Sequence, residues 1–188
     1  MKKSNLALVI FIVVIMMSSV IGFIYSPKDN AVLNSNSIDY KGFNFEQTAD
    51  NRFTTTFNGN QVIFDYSPTS LESINLPIFQ ITQNKVYLIF NPGERDSSLD
   101  YSMSKLAYTL QVNGIKSVLA CSKEENCPGE LPIKDCNNEA FYFKKSNLTN
   151  IYKDSKCVII EGSNVNISKY VDKIGLILIG VKWNKSLK

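Results

Sequence analysis

The sequence predicts a mixed α/β domain carried behind one amino-terminal membrane-spanning helix. Three observations lead there. Leu6 to Tyr25 is an uncharged run of twenty residues, and two β-type segments flank Asn58-Gly59. From residue 85 onward, apolar runs of strand length alternate with segments of helical period. The expected organisation is an anchor over 1–25, a tether over 26–37 and a single extracytoplasmic α/β domain over 38–188. That domain divides into a β-meander half (38–84) and a βαβ-like half (85–188), helix-covered and stapled by disulfides.

The run LALVIFIVVIMMSSVIGFIY, as a helix rising about 1.5 Å per residue, covers roughly 30 Å, the hydrocarbon thickness of a bilayer. Lys2 and Lys3 precede it and Ser26-Pro27 ends it, which favours an amino terminus kept in the cytoplasm with the rest outside. The rival is a cleaved signal peptide with its apolar stretch over Leu6 to Met17 and small residues at Ser18, Ser19 and Gly22. No A-x-A site is present, and Phe23-Ile24-Tyr25 continue the apolar run, so an uncleaved anchor is the expectation. A buried soluble helix would show a polar face, and this segment has none. The lipid bilayer is therefore the first expected partner.

Both export readings change the charge account. Removing Lys2 and Lys3 from 20 Lys+Arg leaves 18 against 17 Asp+Glu, a net of +1. The charges are interspersed, with no basic block to neutralise phosphates, so nucleic acid is not an expected partner. The chain has no histidine. That removes Ser-His-Asp triads, Cys-His pairs and His-ligated metal sites from consideration. No cofactor and no metal is expected.

The meander half opens with the SPKDNAVLNSNS tether, polar and turn-prone. Tyr40-Lys-Gly-Phe-Asn-Phe45 is expected to form one strand by alternation. Phe53–Phe57, Asn58-Gly59 and Asn60–Phe64 then read as strand, type I′ turn and strand, with opposed positions summing to 117. Phe53 then faces Phe64 and Thr55 faces Val62. Ser67-Pro68 opens a short helix through about Ser73.

In the second half, Val86–Phe90 is a continuous apolar run, as in a strand covered on both faces. Asn91-Pro-Gly93 breaks it. The following helix carries Leu99, Met103, Leu106, Ala107 and Leu110 on one stripe, capped by Ser97 and stopped at Asn113-Gly114. Further strands are expected at Ile115–Ala120, Ala140–Phe143 and Cys157–Ile160. A last helix carries Tyr170, Val171, Ile174, Ile177, Leu178 and Val181. Strand, helix, strand with short loops implies a βαβ unit and a parallel sheet.

Cys121, Cys127, Cys136 and Cys157 lack the C-x2-4-C knuckle of a structural zinc site. In an exported chain an even set of four reads as two disulfides. Three connectivities are possible. In a parallel sheet Cys136 and Cys157 both precede strands at one end, whereas Cys121 follows a strand at the other, near Cys127. Disulfide reach then favours Cys121–Cys127 and Cys136–Cys157. Three glycosylation sequons begin at Asn147, Asn166 and Asn184. With 20 Asn and 28 Ser+Thr, about three arise by chance, so they carry no weight.

Tyr40-x-Gly42, the Val86–Pro92 strand and turn, the four cysteines and the closing apolar helix together resemble archaeal membrane-anchored extracytoplasmic α/β proteins with four cysteines. The likeness covers residues 40 to 182. It implies this layout and no mechanism.

Three motifs crowd one helix. Asp100-Tyr-Ser102-Met-Ser104 spells a D-x-S-x-S metal-adhesion pattern, but its Asp belongs at a strand end and here falls inside a helix. Ser102-Met-Ser-Lys105 spells the S-x-x-K of penicillin-recognising enzymes without the S-D-N and K-T-G partners. It is expected to be an i, i+3 pair on a solvated polar face. The turn Asn91-Pro-Gly-Glu94-Arg95-Asp96-Ser97-Ser98 joins a strand's carboxyl end to a helix amino terminus, where α/β folds place ligands. Asn91, Arg95, Asp96 and Ser97 are its candidate ligand-binding residues, for an anion or carboxylate, although Glu94 and Asp96 would repel phosphate. Glu94 or Asp96 with Glu124 or Glu125 is the one carboxylate pairing that suits an envelope hydrolase. The function expected is non-catalytic: binding or envelope interaction, with an envelope protein or glycan as partner. A small hydrolase, or an anion or small-molecule module at 91–98, stands as the alternative.

Overall fold

The computed structural model of the protein describes Ile15, Met16 and residues 37–183. Apart from helical Ile15 and Met16, the expected anchor Leu6–Tyr25 lies outside the described residues, as does the tether up to residue 36. Among the described residues, no helix is long and apolar enough to cross a membrane. Of the described residues, 37–183 form one compact unit, a mixed α/β fold with two sheets, two α-helices and two disulfides.

The first sheet is an antiparallel meander of β1 (Ser37–Tyr40), β2 (Phe43–Gln47), β3 (Phe53–Phe57) and β4 (Asn60–Phe64), in that order. The β3–β4 hairpin has the expected register, Phe53 opposite Phe64 and Thr55 opposite Val62. The single strand expected over Tyr40–Phe45 is instead two strands. Lys41 and Gly42 both adopt positive φ (52° and 84°) and fold the chain back in two residues, setting Tyr40 opposite Phe43. An aromatic on either side of a tight turn mimics alternation along one strand. The helix expected after Ser67-Pro68 shortens to one 3₁₀ turn, Thr69–Leu71.

The second sheet comprises β5 (Lys85–Phe90), β6 (Lys116–Cys121), β7 (Ala140–Lys145), β8 (Asn150–Asp154) and β9 (Cys157–Gly162), ordered β6-β5-β7-β9-β8. β5 pairs in parallel with β6 and β7, which is why its side chains are nearly all apolar. β8 is an antiparallel edge strand, paired only with β9. Its sequence, Asn-Ile-Tyr-Lys-Asp, holds too few apolar residues to announce a strand, and edge strands tolerate that.

α1 (Ser97–Val112) and α2 (Asn164–Leu178) pack on one face of this sheet and against each other. Leu99, Met103, Leu106 and Leu110 of α1 are buried there with Leu88, Phe90, Phe141 and Ile160. The amino cap of α1 is Asp96, one residue before the expected Ser97: its Oδ1 accepts the Leu99 N–H at 2.9 Å. At the other end Ile115 N–H reaches Leu110 O at 2.9 Å, a Schellman stop. α2 begins six residues before Tyr170, the first apolar position expected for it.

The two halves share a core. Leu176 of α2 and the following Ile179 and Val181 are buried against Tyr40, Phe45, Phe53, Val62 and Phe64 of the meander. Gly175 makes that approach possible, because a Cβ there would lie 3.1 Å from Phe64 Cε1. Disulfides join Cys121 to Cys127 and Cys136 to Cys157, the pairing favoured by the parallel-sheet argument. Cys121 ends β6 and Cys157 begins β9, at opposite ends of the parallel strands.

Candidate functional site

α1 follows β5 and α2 follows β9, so both helices begin at the carboxyl-terminal edge of the parallel strands. Their first turns line a groove of about 350 Å3. α1 contributes Ser97, Ser98, Tyr101 and Ser102; α2 contributes Asn164, Val165 and Ser168. The segment leaving β4 adds Asp65 and Tyr66. The volume lies within the range of about 300–1,000 Å3 usual for small-ligand sites.

Beneath the groove is a charged cluster that joins three elements. Lys105 Nζ of α1 donates to Asp65 Oδ2, lies 2.6 Å from Asp172 Oδ1 of α2, and reaches Ser168 Oγ at 3.2 Å. Asp172 Oδ2 accepts the backbone N–H groups of Asp65 and Tyr66 at 2.7 and 3.0 Å. Asp65 also accepts from Tyr101 Oη at 2.8 Å and Ser168 Oγ at 2.8 Å. Burial pushes the Asp172 carboxyl up to about 6, against the pull of Lys105. Burial also opposes charge on Asp65 and Lys105. Lys105 outweighs it for Asp65, and Asp172 with Asp65 outweighs it for Lys105, leaving the Asp65 carboxyl below its ordinary value and the Lys105 ammonium above its own.

This corrects the expectation for Ser102 and Lys105. They do not lie on a solvated helix face: Ser102 is 2% exposed and Lys105 is largely buried. The cause is α2, which covers that side of α1 and supplies the carboxylate that makes a buried lysine tolerable. Lys105 hydrogen-bonds Asp65 and Ser168 and is ion-paired with Asp172, so it is held as an ammonium and is not poised to take a proton from Ser102. Asp100 falls within α1, as the helical reading requires, and is paired with Arg95 Nε at 2.7 Å.

The residues of the 91–98 turn are separated by the structure. Asn91 caps a 3₁₀ turn over Pro92–Glu94, accepting the Gly93 N–H at 3.2 Å and donating to Glu94 Oε1 at 2.7 Å. Glu94 Oε2 accepts the Lys145 N–H at 2.9 Å. Arg95 is turned to Asp100 and lies over the Phe90 ring. Asp96 is held at about 2 by Lys145 and by the Leu99 N–H, and takes Asn164 Nδ2 at 3.2 Å. Of the four, Ser97 alone lines the groove. Glu124 and Glu125 lie in the exposed loop after β6, next to the β5 exit, with Glu125 paired to Lys123 at 3.2 Å. Among the described residues, no group of three or more Cys, Asp or Glu side chains is placed to hold a metal ion.

Asp65, Tyr66, Asn164, Ser168 and Asp172 escape sequence reasoning because they come from segments about 100 residues apart that only the tertiary fold joins. One signal was present: Lys105 and Asp172 are charged residues set beside the apolar stripes of their helices, as is Lys173, which is also buried. No protein-family model, curated protein or solved structure matches this chain.

Proposed function

We propose that this protein is a non-catalytic extracytoplasmic binding domain, tethered to a membrane by Leu6–Tyr25 and facing the cell envelope. The observation that carries the binding half is the pairing of Lys105 with two carboxylates. The serine-and-lysine pairing of the S-x-x-K motif has its base held as an ammonium between Asp65 and Asp172, beside a groove lined mainly by hydroxyls. The two disulfides support an oxidising exterior. The length and lack of charge of Leu6–Tyr25 support the anchor.

Protease added to intact cells tests the placement. It should remove the folded domain and leave an amino-terminal fragment that stays with the membrane after alkaline extraction. A domain cut only after cell lysis refutes the placement. Turnover of an envelope substrate by the purified protein, lost on changing Glu94, Asp96, Glu124 and Glu125 together to amides, would replace binding by hydrolysis.

A further inference from the structure

We infer that the groove between the first turns of α1 and α2 receives a neutral, hydroxyl-rich ligand, a sugar unit of a glycan chain. The inference rests on the binding role proposed above and names its ligand class.

Charge excludes the alternatives first. The floor holds two carboxylates and one ammonium, a net of −1, and that ammonium is hydrogen-bonded to Asp65 and Ser168 and ion-paired with Asp172. Around the groove, Lys145 is paired with Asp96 and Arg52 with Asp50, and Lys169 stands over the Tyr66 ring. The one charged side chain in the lining is the Asp65 carboxylate, which an anion would meet and which opposes the helix dipoles at the groove. A cation fares no better. Asp65 accepts from Tyr101, Ser168 and Lys105, and Asp172 is sealed from solvent.

The remaining chemistry is that of hydroxyl recognition. Ser102 is 2% exposed, lines the groove and makes no hydrogen bond within the protein. Its Oγ is not sealed in the interior, so it opens to the groove and is free to pair with what enters. A ligand that both donates and accepts satisfies it. Asn164, in the wall, gives its Nδ2 to Asp96 and leaves Oδ1 buried without a partner. Ser97 and Ser98 add two more hydroxyls at the first turn of α1. Between these polar groups stand apolar surfaces: the rings of Tyr66 and Tyr101 and the side chain of Val165, which is 56% exposed. Alternating hydroxyl partners with aromatic and aliphatic faces match a pyranose, which has hydroxyls at its rim and C–H groups on its faces.

The test is calorimetric titration of the full chain in lipid nanodiscs with three probes: maltotriose, chitotriose and an anionic hexuronate trisaccharide. The expected result is saturable binding of at least one neutral probe and none of the hexuronate. Ser102→Val should weaken that binding at least tenfold with an unchanged melting temperature, and Ser98→Ala provides a second, independent loss. Absence of binding by both neutral probes at millimolar concentration overturns the inference. So does binding that neither variant weakens, or equal affinity for the hexuronate. None of these failures alters the intact-cell protease result, so the ligand class can fall while the tethered-domain reading stands.

Discussion

Lys105 on α1 and Asp172 on α2 lie 2.6 Å apart in the interior, their side chains 9% and 0% exposed. The pair ties the two helices together. Through Asp65 and the N–H groups of residues 65 and 66, it also ties both helices to the end of the meander. A buried charge deprived of its partner is far costlier than an absent pair. Asp172→Ala is therefore expected to lower the unfolding free energy by about 3–5 kcal/mol in urea denaturation. A loss below about 1 kcal/mol, the scale of a surface ion pair, would show that the cluster is solvated.

The same carboxyl gives a pH signature. Its folded value of about 6 lies above the ordinary 3.8, so the fold favours the protonated form. That contribution is complete below about pH 4 and is lost as pH rises through about 6. Asp65 runs the opposite way: its lowered value gives stability that is present above the ordinary carboxylate range and lost on acidification. Comparing wild type with Asp172→Asn isolates the first effect. The wild-type advantage should shrink between pH 4 and pH 7, and a difference constant with pH contradicts the assignment.

The disulfides should differ in weight. Cys136–Cys157 closes a sequence separation of 21 residues and Cys121–Cys127 one of 6. Loop-closure entropy assigns about 3 kcal/mol to the first and about 2 kcal/mol to the second. Paired Cys→Ser variants compared by denaturant titration should reproduce that order. Reversal would mean that the Cys121–Cys127 loop braces the edge of β6 more strongly than its length implies.

Leu176 of α2 is fully buried among meander side chains. Leu176→Ala should cost about 2–5 kcal/mol and lower the stability of both halves together. A single unfolding transition, followed by circular dichroism and by Trp183 fluorescence, is expected. Two separated transitions would divide the shared core.

How far the sequence could be read follows from the range over which each signal acts. Asn58-Gly59 carries its own turn chemistry, so the β3–β4 register was legible to the residue. β5 was legible because a doubly covered strand must be apolar throughout. Tyr40–Phe45 misled because Lys41 adopts positive φ, which its residue type does not advertise. β8 was hidden by its polar edge. The groove was legible at one residue: Ser97 pointed to the start of α1, whereas Ser102 and Lys105 were read as solvated. The partners that bury Lys105 come from β4 and α2, and pairing over about 100 residues leaves no local pattern to read.

Thiol accessibility in intact cells tests the central proposal, a disulfide-stapled domain outside the membrane, most directly. Cells expressing the full chain are treated with a membrane-impermeant maleimide, with and without prior reduction, and the four cysteines are mapped by mass spectrometry. The account predicts no labelling of Cys121, Cys127, Cys136 or Cys157 before reduction and labelling of intact cells after reduction by an impermeant phosphine. Four thiols that remain shielded until the cells are opened, and are then labelled without any reductant, would contradict it.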